Sequence, residues 1–180
     1  QYGEPGDGNL RPGVLEGVPS SYGALMQNSI GKVTGLLADY AHCIDSDELE
    51  RWPGFFTDRA RYFVTTSFNQ ERGLPIGIID ATSRDMMEDR VAALRKANIY
   101  EPQRYRHIIS VVRITGQDGM VISAEAGFMV VRTTIDGTQD LFVSGRYEDV
   151  IDFSGESPLF AEKQVVLDSD KINTLLAIPL

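Results

Sequence analysis

The sequence predicts an α+β domain, with N-terminal helices packed on a long, strongly bent antiparallel sheet. Three observations carry this expectation. Apolar residues recur with a helical period in the first part of the chain. From residue 104 the pattern turns to long strand-like runs separated by turn residues. The length of 180 residues suits one domain, which buries about 70% of its unfolded surface without disulfides or a structural metal.

Residues 1–23 hold six of the seventeen glycines and three of the eight prolines, the composition of an extended arm rather than a core element. Tyr2, Leu10, Val14, Leu15, Val18 and Tyr22 give that arm apolar surface to drape over its own domain or a neighbour; a disordered tail is the alternative. A single domain then spans 24–180. Leu25, Val33, Leu36, Leu37, Tyr40, Ala41 and Ile44 predict one long helix over 24–44 in spite of Gly31 and Gly35. Asp45 and Glu48 make an Asp-x-x-Glu capping box for a short second helix, which Pro53 and Gly54 stop before Phe55 and Phe56. Tyr62, Val64, Thr66 and Phe68 alternate with Phe63, Thr65 and Ser67 as a strand, and residues 74–80 read as a shorter one. Thr82 and Asp85 form a looser capping box for a third helix, where Met87, Val91 and Leu94 share a face and Asn98 is the stop.

The remaining chain reads as a four-strand meander, turned at Gln117-Asp118-Gly119, at Asp136-Gly137 and at residues 154–157. Its strands are long, and Gly127 and Gly145 fall inside them, so bulges and a strong bend are expected there. Their centres are apolar on both faces: Ile108 to Val112 apart from Ser110, Phe128 to Val131, Leu141 to Val143, and Val165 to Leu167. A sheet with one face in water should alternate. Helices cover one face, so a partner protein is the economical cover for the other; an internal cone or barrel is the alternative.

Composition excludes several kinds of chemistry. With 26 acidic and 17 basic side chains the formal charge is −9, which disfavours nucleic acid and anionic membranes as partners. No apolar run approaches the ~20 residues of a membrane span, and the chain reads as soluble and cytoplasmic. One cysteine, Cys43, and two histidines, His42 and His107, rule out a zinc site built from cysteines, or from paired cysteines and histidines, and a four-ligand iron–sulfur centre within one chain. Neither GxGxxG nor a P-loop occurs. Trp52, Phe55, Phe56, Tyr62, Phe63 and Phe68 fit an ordinary core better than an aromatic-ligand pocket.

The order of elements matches the cystatin-like, or nuclear-transport-factor-like, cone. The stretches DSDELERWPGFFTDRARYFVT, DMMEDRVAALRKANIYEPQRYRHIIS, FMVVRTT, LFVSGRYEDVID and LLAIPL resemble the small (β) subunit of aromatic-ring-hydroxylating dioxygenases over about residues 24–180. The wording is most similar to members acting on aromatic carboxylates such as terephthalate or salicylate, though the Gly/Pro arm departs from their shorter N-termini. That resemblance implies a non-catalytic structural subunit, with three small subunits beneath three large ones and contacts to other copies of itself. It also implies that the partner large subunit carries a Rieske [2Fe-2S] cluster on two Cys and two His. A mononuclear Fe(II) on two His and a carboxylate belongs to that subunit as well. Electrons reach the cluster from NADH through a reductase, and both atoms of molecular oxygen enter the ring. Together the two centres need two Cys and four His, and one Cys and two His cannot house that set.

Two sets of side chains are candidates for a site. Arg104, Arg106, Arg113, Arg132 and Arg146 suit forks onto a partner's carboxylates, with cross-strand pairing to Glu125, Glu148 or Asp149 as the alternative. His107 points with Tyr105 and Ile109 and reads as a core or interface histidine. Asp39 and His42, with Asp45 following, lie near one helical face. An Asp–His pair inside such a cone performs proton transfer, so a self-sufficient isomerase or dehydratase is the rival function and a pure binding module the third.

Overall fold

The structure is a computed structural model that describes residues 20–97, 103–171, 176 and 178–180. Its elements run α1 (Ser20–Asp45), a 3-10 helix (Leu49–Phe55), β1 (Phe56–Thr66), α2 (Ser67–Glu71), β2 (Ile79–Ala81), α3 (Arg84–Ala97), β3 (Arg104–Ile109), β4 (Arg113–Asp118), β5 (Val121–Thr133), β6 (Gln139–Asp152) and β7 (Leu159–Leu167). The long helix begins at Ser20, four residues before the expected start. Most of the arm, and the expected stop at Asn98, lie outside the described residues.

Helical spacing decides what α1 buries. Val33, Leu36, Leu37, Tyr40, Ala41 and Ile44 fall on one stripe and are buried. Each such large side chain contributes about 1.5–3 kcal/mol. The stripe packs into the concavity of one seven-stranded sheet of order β2-β1-β7-β6-β5-β3, with β4 also paired to β5. The expected meander β3/β4–β5–β6–β7 is there and antiparallel throughout. In addition, β1 pairs in parallel with β7, Tyr62 opposite Lys163 and Val64 opposite Val165, a pairing that the strand pattern does not predict. That pairing sets the first strand beside the last and completes the α+β cone.

Several boundaries differ from expectation, each for a local reason. No Asp45–Glu48 capping box forms: the carboxylate of Asp45 bonds His107 instead, and Glu48 caps the 3-10 helix without a side-chain bond. Pro53 and Gly54 lie inside that 3-10 helix rather than ending it. Ser83, not Thr82, caps α3, its hydroxyl accepting the Met86 N–H at 3.3 Å. Residues 74–80 contribute only the start of a three-residue strand, and Phe68 sits exposed on α2 rather than in the core. The first long strand breaks between β3 and β4, where Ser110 reaches across to Gly127, donating its N–H to the carbonyl and accepting the Gly127 N–H.

The bend is placed by bulges and a close contact. Along β6 the register shifts fall at Val130/Val131 and Val150/Ile151, not at Gly127 or Gly145, and two more fall at Phe56/Arg61 and Ile114/Gly116. Gly145 has a different task. A Cβ built there would lie 2.2 Å from the Val166 carbonyl oxygen on β7, so only glycine permits the approach of the two backbones. Gly145→Ala is expected to lose about 3 kcal/mol in urea unfolding, the upper range for overpacking.

Candidate functional site

The interior of the cone is an aromatic box. Tyr40 meets Phe55, Phe56, Tyr147 and Phe160 edge-on, and Trp52 meets Phe56 and Tyr62 likewise, with ring centroids 5.0–6.4 Å apart. Phe128 stacks on Tyr147 at 4.2 Å. These spacings are those of favourable aromatic pairs, and they leave the centre filled with side chains.

Two polar pairs are set into this box. On facing β6 and β7 positions, the Lys163 ammonium lies 3.1 and 3.2 Å from the two oxygens of Asp149, both side chains out of solvent. The same ammonium sits 3.6 Å from the centroid of Tyr147 and 4.5 Å from that of Phe160, so ring faces take the place of water around the charge. Burial pushes the Asp149 carboxyl up to about 6 and the Lys163 ammonium down to about 8, and each partner's charge offsets only part of that.

The second pair joins α1 to the edge strand. Asp45 ends α1 and accepts the His107 backbone N–H at 3.0 Å and its ring Nδ1–H at 2.7 Å. A carboxylate can only accept, so Nδ1 carries the proton; Nε2 is buried without a partner. An Asp–His pair therefore exists, but its members are 62 residues apart. Asp39 and His42 are not that pair. At 100° per residue both fall on the solvent side of α1, opposite the buried stripe. Beside Asp45, Arg106 and Arg95 line an open cleft of about 520 Å³ that His107 does not line. The histidine side chain is fully enclosed, so its Nε2 cannot meet a substrate entering there. Asp45→Ala would leave two buried donors unmet, for an expected loss of about 2–3 kcal/mol in denaturant unfolding.

The arginines spread over the convex face and its rim. Arg113 pairs with Glu125 at 2.8 Å, and Arg146 with Glu148 at 2.8 Å and with Gln70. Arg132 forks onto Asp140 and covers Phe142. Local carboxylates thus already engage these three. Arg104 and Arg106 are exposed, and the latter approaches Asp45 at 3.8 Å. Between them and the other strands lie Ile108, Met129 and Leu141, which are 49%, 43% and 61% exposed. Ile108 is directly opposite Met129, and Val131 opposite Leu141, so they form one outward strip across β3, β5 and β6.

Among the described residues the donor set does not form a metal centre. Cys43 is buried and bonds the Glu48 carbonyl at 3.0 Å, and burial pushes its thiol up to about 11, against thiolate character. His107 is committed to Asp45, and no cluster of three ligating side chains occurs among the described residues.

The sequence profile of the family described as the ring hydroxylating beta subunit matches residues 40–174. This chain belongs to that family. Subunit beta 2 of the terminal oxygenase component of terephthalate 1,2-dioxygenase from Comamonas sp. is 42% identical to this β-subunit chain over 149 residues, 83% of this chain and 97% of the relative. The small subunit of anthranilate 1,2-dioxygenase from Burkholderia cepacia is 37% identical, covering 78% and 88% of the two chains. Among solved structures, the beta subunit of an aromatic-ring-hydroxylating dioxygenase from Novosphingobium aromaticivorans superposes with a TM-score of 0.81 at 36% identity. That match covers 87% of this chain and 99% of the other. The chain is accordingly a β subunit of a ring-hydroxylating dioxygenase, an oxidoreductase component with the α+β cone.

Two features were missed in the sequence: the buried Lys163–Asp149 pair and the Asp45–His107 pair. Alternation along the strands could have found the first, because Lys163 and Asp149 sit in phase with Val165 and Tyr147, which face inward. No local signal marks the second.

Proposed function

We propose that this chain is the structural small subunit of an oxygenase acting on an aromatic carboxylate, and that it contributes no catalytic residue. Its task is to hold large subunits in register, three small beneath three large, in the cytoplasm. The Rieske [2Fe-2S] cluster and the mononuclear Fe(II) belong to those large subunits, whose chemistry adds molecular oxygen to the ring with electrons from NADH. The carrying observation is the inversion of the usual arrangement for a cone enzyme. The interior is filled by side chains, whereas Ile108, Met129 and Leu141 face outward beside Arg104 and Arg106. That strip is proposed as the face that meets the large subunit, with Arg104 and Arg106 as forks for its carboxylates. Arg113, Arg132 and Arg146 keep their local partners at its rim, and buried His107 backs it from inside. The carboxylate substrate is proposed from the terephthalate and anthranilate relatives. In keeping with a soluble partner, no helix among the described residues is long and apolar enough to cross a membrane.

The test is an affinity pull-down of the tagged chain from its own cells grown on an aromatic acid. A larger chain recovered in equal amount, with iron and acid-labile sulfide, is the expected result. Recovery of the chain alone and metal-free overturns the reading. The rival isomerase is tested by His42→Ala: since His42 is solvent-facing, ring-hydroxylating activity of the assembly is expected to stay within about twofold of the parent.

A further inference from the structure

Leu176 and residues 178–180 belong to no helix or strand, yet Leu176, Ile178 and Leu180 are buried in the core cluster. Polar groups that are themselves buried hold it. The Tyr62 hydroxyl accepts the Leu180 N–H at 2.9 Å, and the Tyr40 hydroxyl donates to the Leu180 oxygen at 2.5 Å. The Tyr62 hydroxyl also lies 3.4 Å from that oxygen, and Arg90 donates to the Leu176 carbonyl at 2.9 Å. Both tyrosines are fully enclosed by rings of the aromatic box.

Buried phenols need partners, because leaving one unmet costs about 1–3 kcal/mol. Here the partners come from a short segment, through one N–H and one oxygen, with apolar side chains on either side. That is how a binding site treats a small ligand: an apolar enclosure with a few convergent polar groups that fix its orientation. Both hydroxyls converge on a single oxygen; Arg90 donates to the neighbouring Leu176 carbonyl, and Lys163, over the Tyr40 ring, is paired with the Asp149 carboxylate.

We propose that the cone carries a small-molecule site with residues 178–180 as its built-in occupant. The chemistry it accepts is an apolar molecule ending in a carbonyl or carboxylate oxygen, which takes the place of the Leu180 oxygen between Tyr40 and Tyr62. The inference does not depend on the assembly role, since it concerns the interior and not the outer strip.

The primary test uses the unmodified full chain, as purified with whatever subunit accompanies it, and reads amide exchange at Leu180 against Val64 and Val165. A segment that leaves and re-enters the site exchanges at Leu180 at least about a hundredfold faster than the strand amides, which open only with the sheet. Millimolar octanoate or octanamide is expected to speed Leu180 exchange further while leaving Val64 unchanged. Octanoate acting alone assigns a carboxylate site, and both acting assigns a carbonyl site. Leu180 exchange as slow as that of Val64, or unmoved by either probe, overturns the proposal. A second measurement uses Ile178→Asp, which drives the segment into water. The folded variant is expected to bind octanoate or octanamide at least tenfold more tightly than the parent, and Tyr62→Phe in that background to weaken binding about tenfold. A folded variant that binds neither probe overturns the proposal. If the variant does not fold, the exchange experiment on the parent decides.

Discussion

Lys163→Met is expected to destabilise the chain by roughly 3–5 kcal/mol, the cost of leaving one partner of a buried ion pair behind. Asp149 has the Lys163 ammonium on both oxygens and lies in an enclosure of rings and strand backbone, so it must either stay charged without a counter-ion or take up a proton. In a thermal melt the loss corresponds to a fall of about 10 °C, at roughly 2–4 °C per kcal/mol for a chain of this size. The double variant Asp149→Leu with Lys163→Met removes both charges and is expected to return to within about 2 kcal/mol of the parent. Nearly additive losses would mean that the pair is not coupled as the geometry requires.

The pH dependence of the same comparison follows from the two shifts. Between the ordinary 3.8 and about 6, folded Asp149 keeps a proton that the unfolded chain has released, so its contribution to stability falls as pH rises. From about 6 to about 8 both groups are charged in both states and the curve is flat. Above about 8, folded Lys163 gives up a proton that the unfolded chain holds until near 10.5, so the contribution rises again. Parent minus double variant should therefore be lowest between about pH 6 and 8. A maximum in that window would contradict burial as the dominant cause.

Legibility in the sequence tracks locality. The α1 stripe, the four-strand meander and the inward phase of His107 follow from periods of 3.6 and 2, which neighbouring residues alone set. The β1–β7 pairing joins residues about a hundred positions apart, and no periodicity can announce which strand another will choose. The same holds at the candidate site. Asp45 has the sequence context of a helix cap, and only the arrival of β3 beside the end of α1 offers its carboxylate a buried imidazole and a backbone N–H together. Lys163 was hidden differently: a lysine reads as surface, and its stem and ammonium are tolerated inside only because Asp149 and three rings surround it. The strand pattern places the arginines on strands, but which of them find carboxylates depends on register, as with Arg132 opposite Asp140.

Met129→Glu combined with Leu141→Glu is expected to abolish assembly with the large subunit while leaving the fold intact. Both side chains are substantially solvent-exposed in the isolated chain, so each change should alter folding stability by no more than about 0.5 kcal/mol. In an interface the same two carboxylates would have to be stripped of water next to Ile108 and Val131, at several kcal/mol per unpaired charge. A weakening of about a thousandfold, near 4 kcal/mol, is therefore a conservative expectation, read as loss of the large chain from the pull-down and loss of ring hydroxylation. Met120→Glu is the matched control, since Met120 is 57% exposed at the turn before β5, at the far end from the strip, and should leave assembly unchanged. Arg104→Ala and Arg106→Ala test the forks separately: if they reach carboxylates of the large subunit, each loss weakens assembly about tenfold and makes it less sensitive to salt. Full recovery of the large chain with the doubly charged strip would move the interface elsewhere, and an unchanged melting curve for that variant is what makes either outcome decisive.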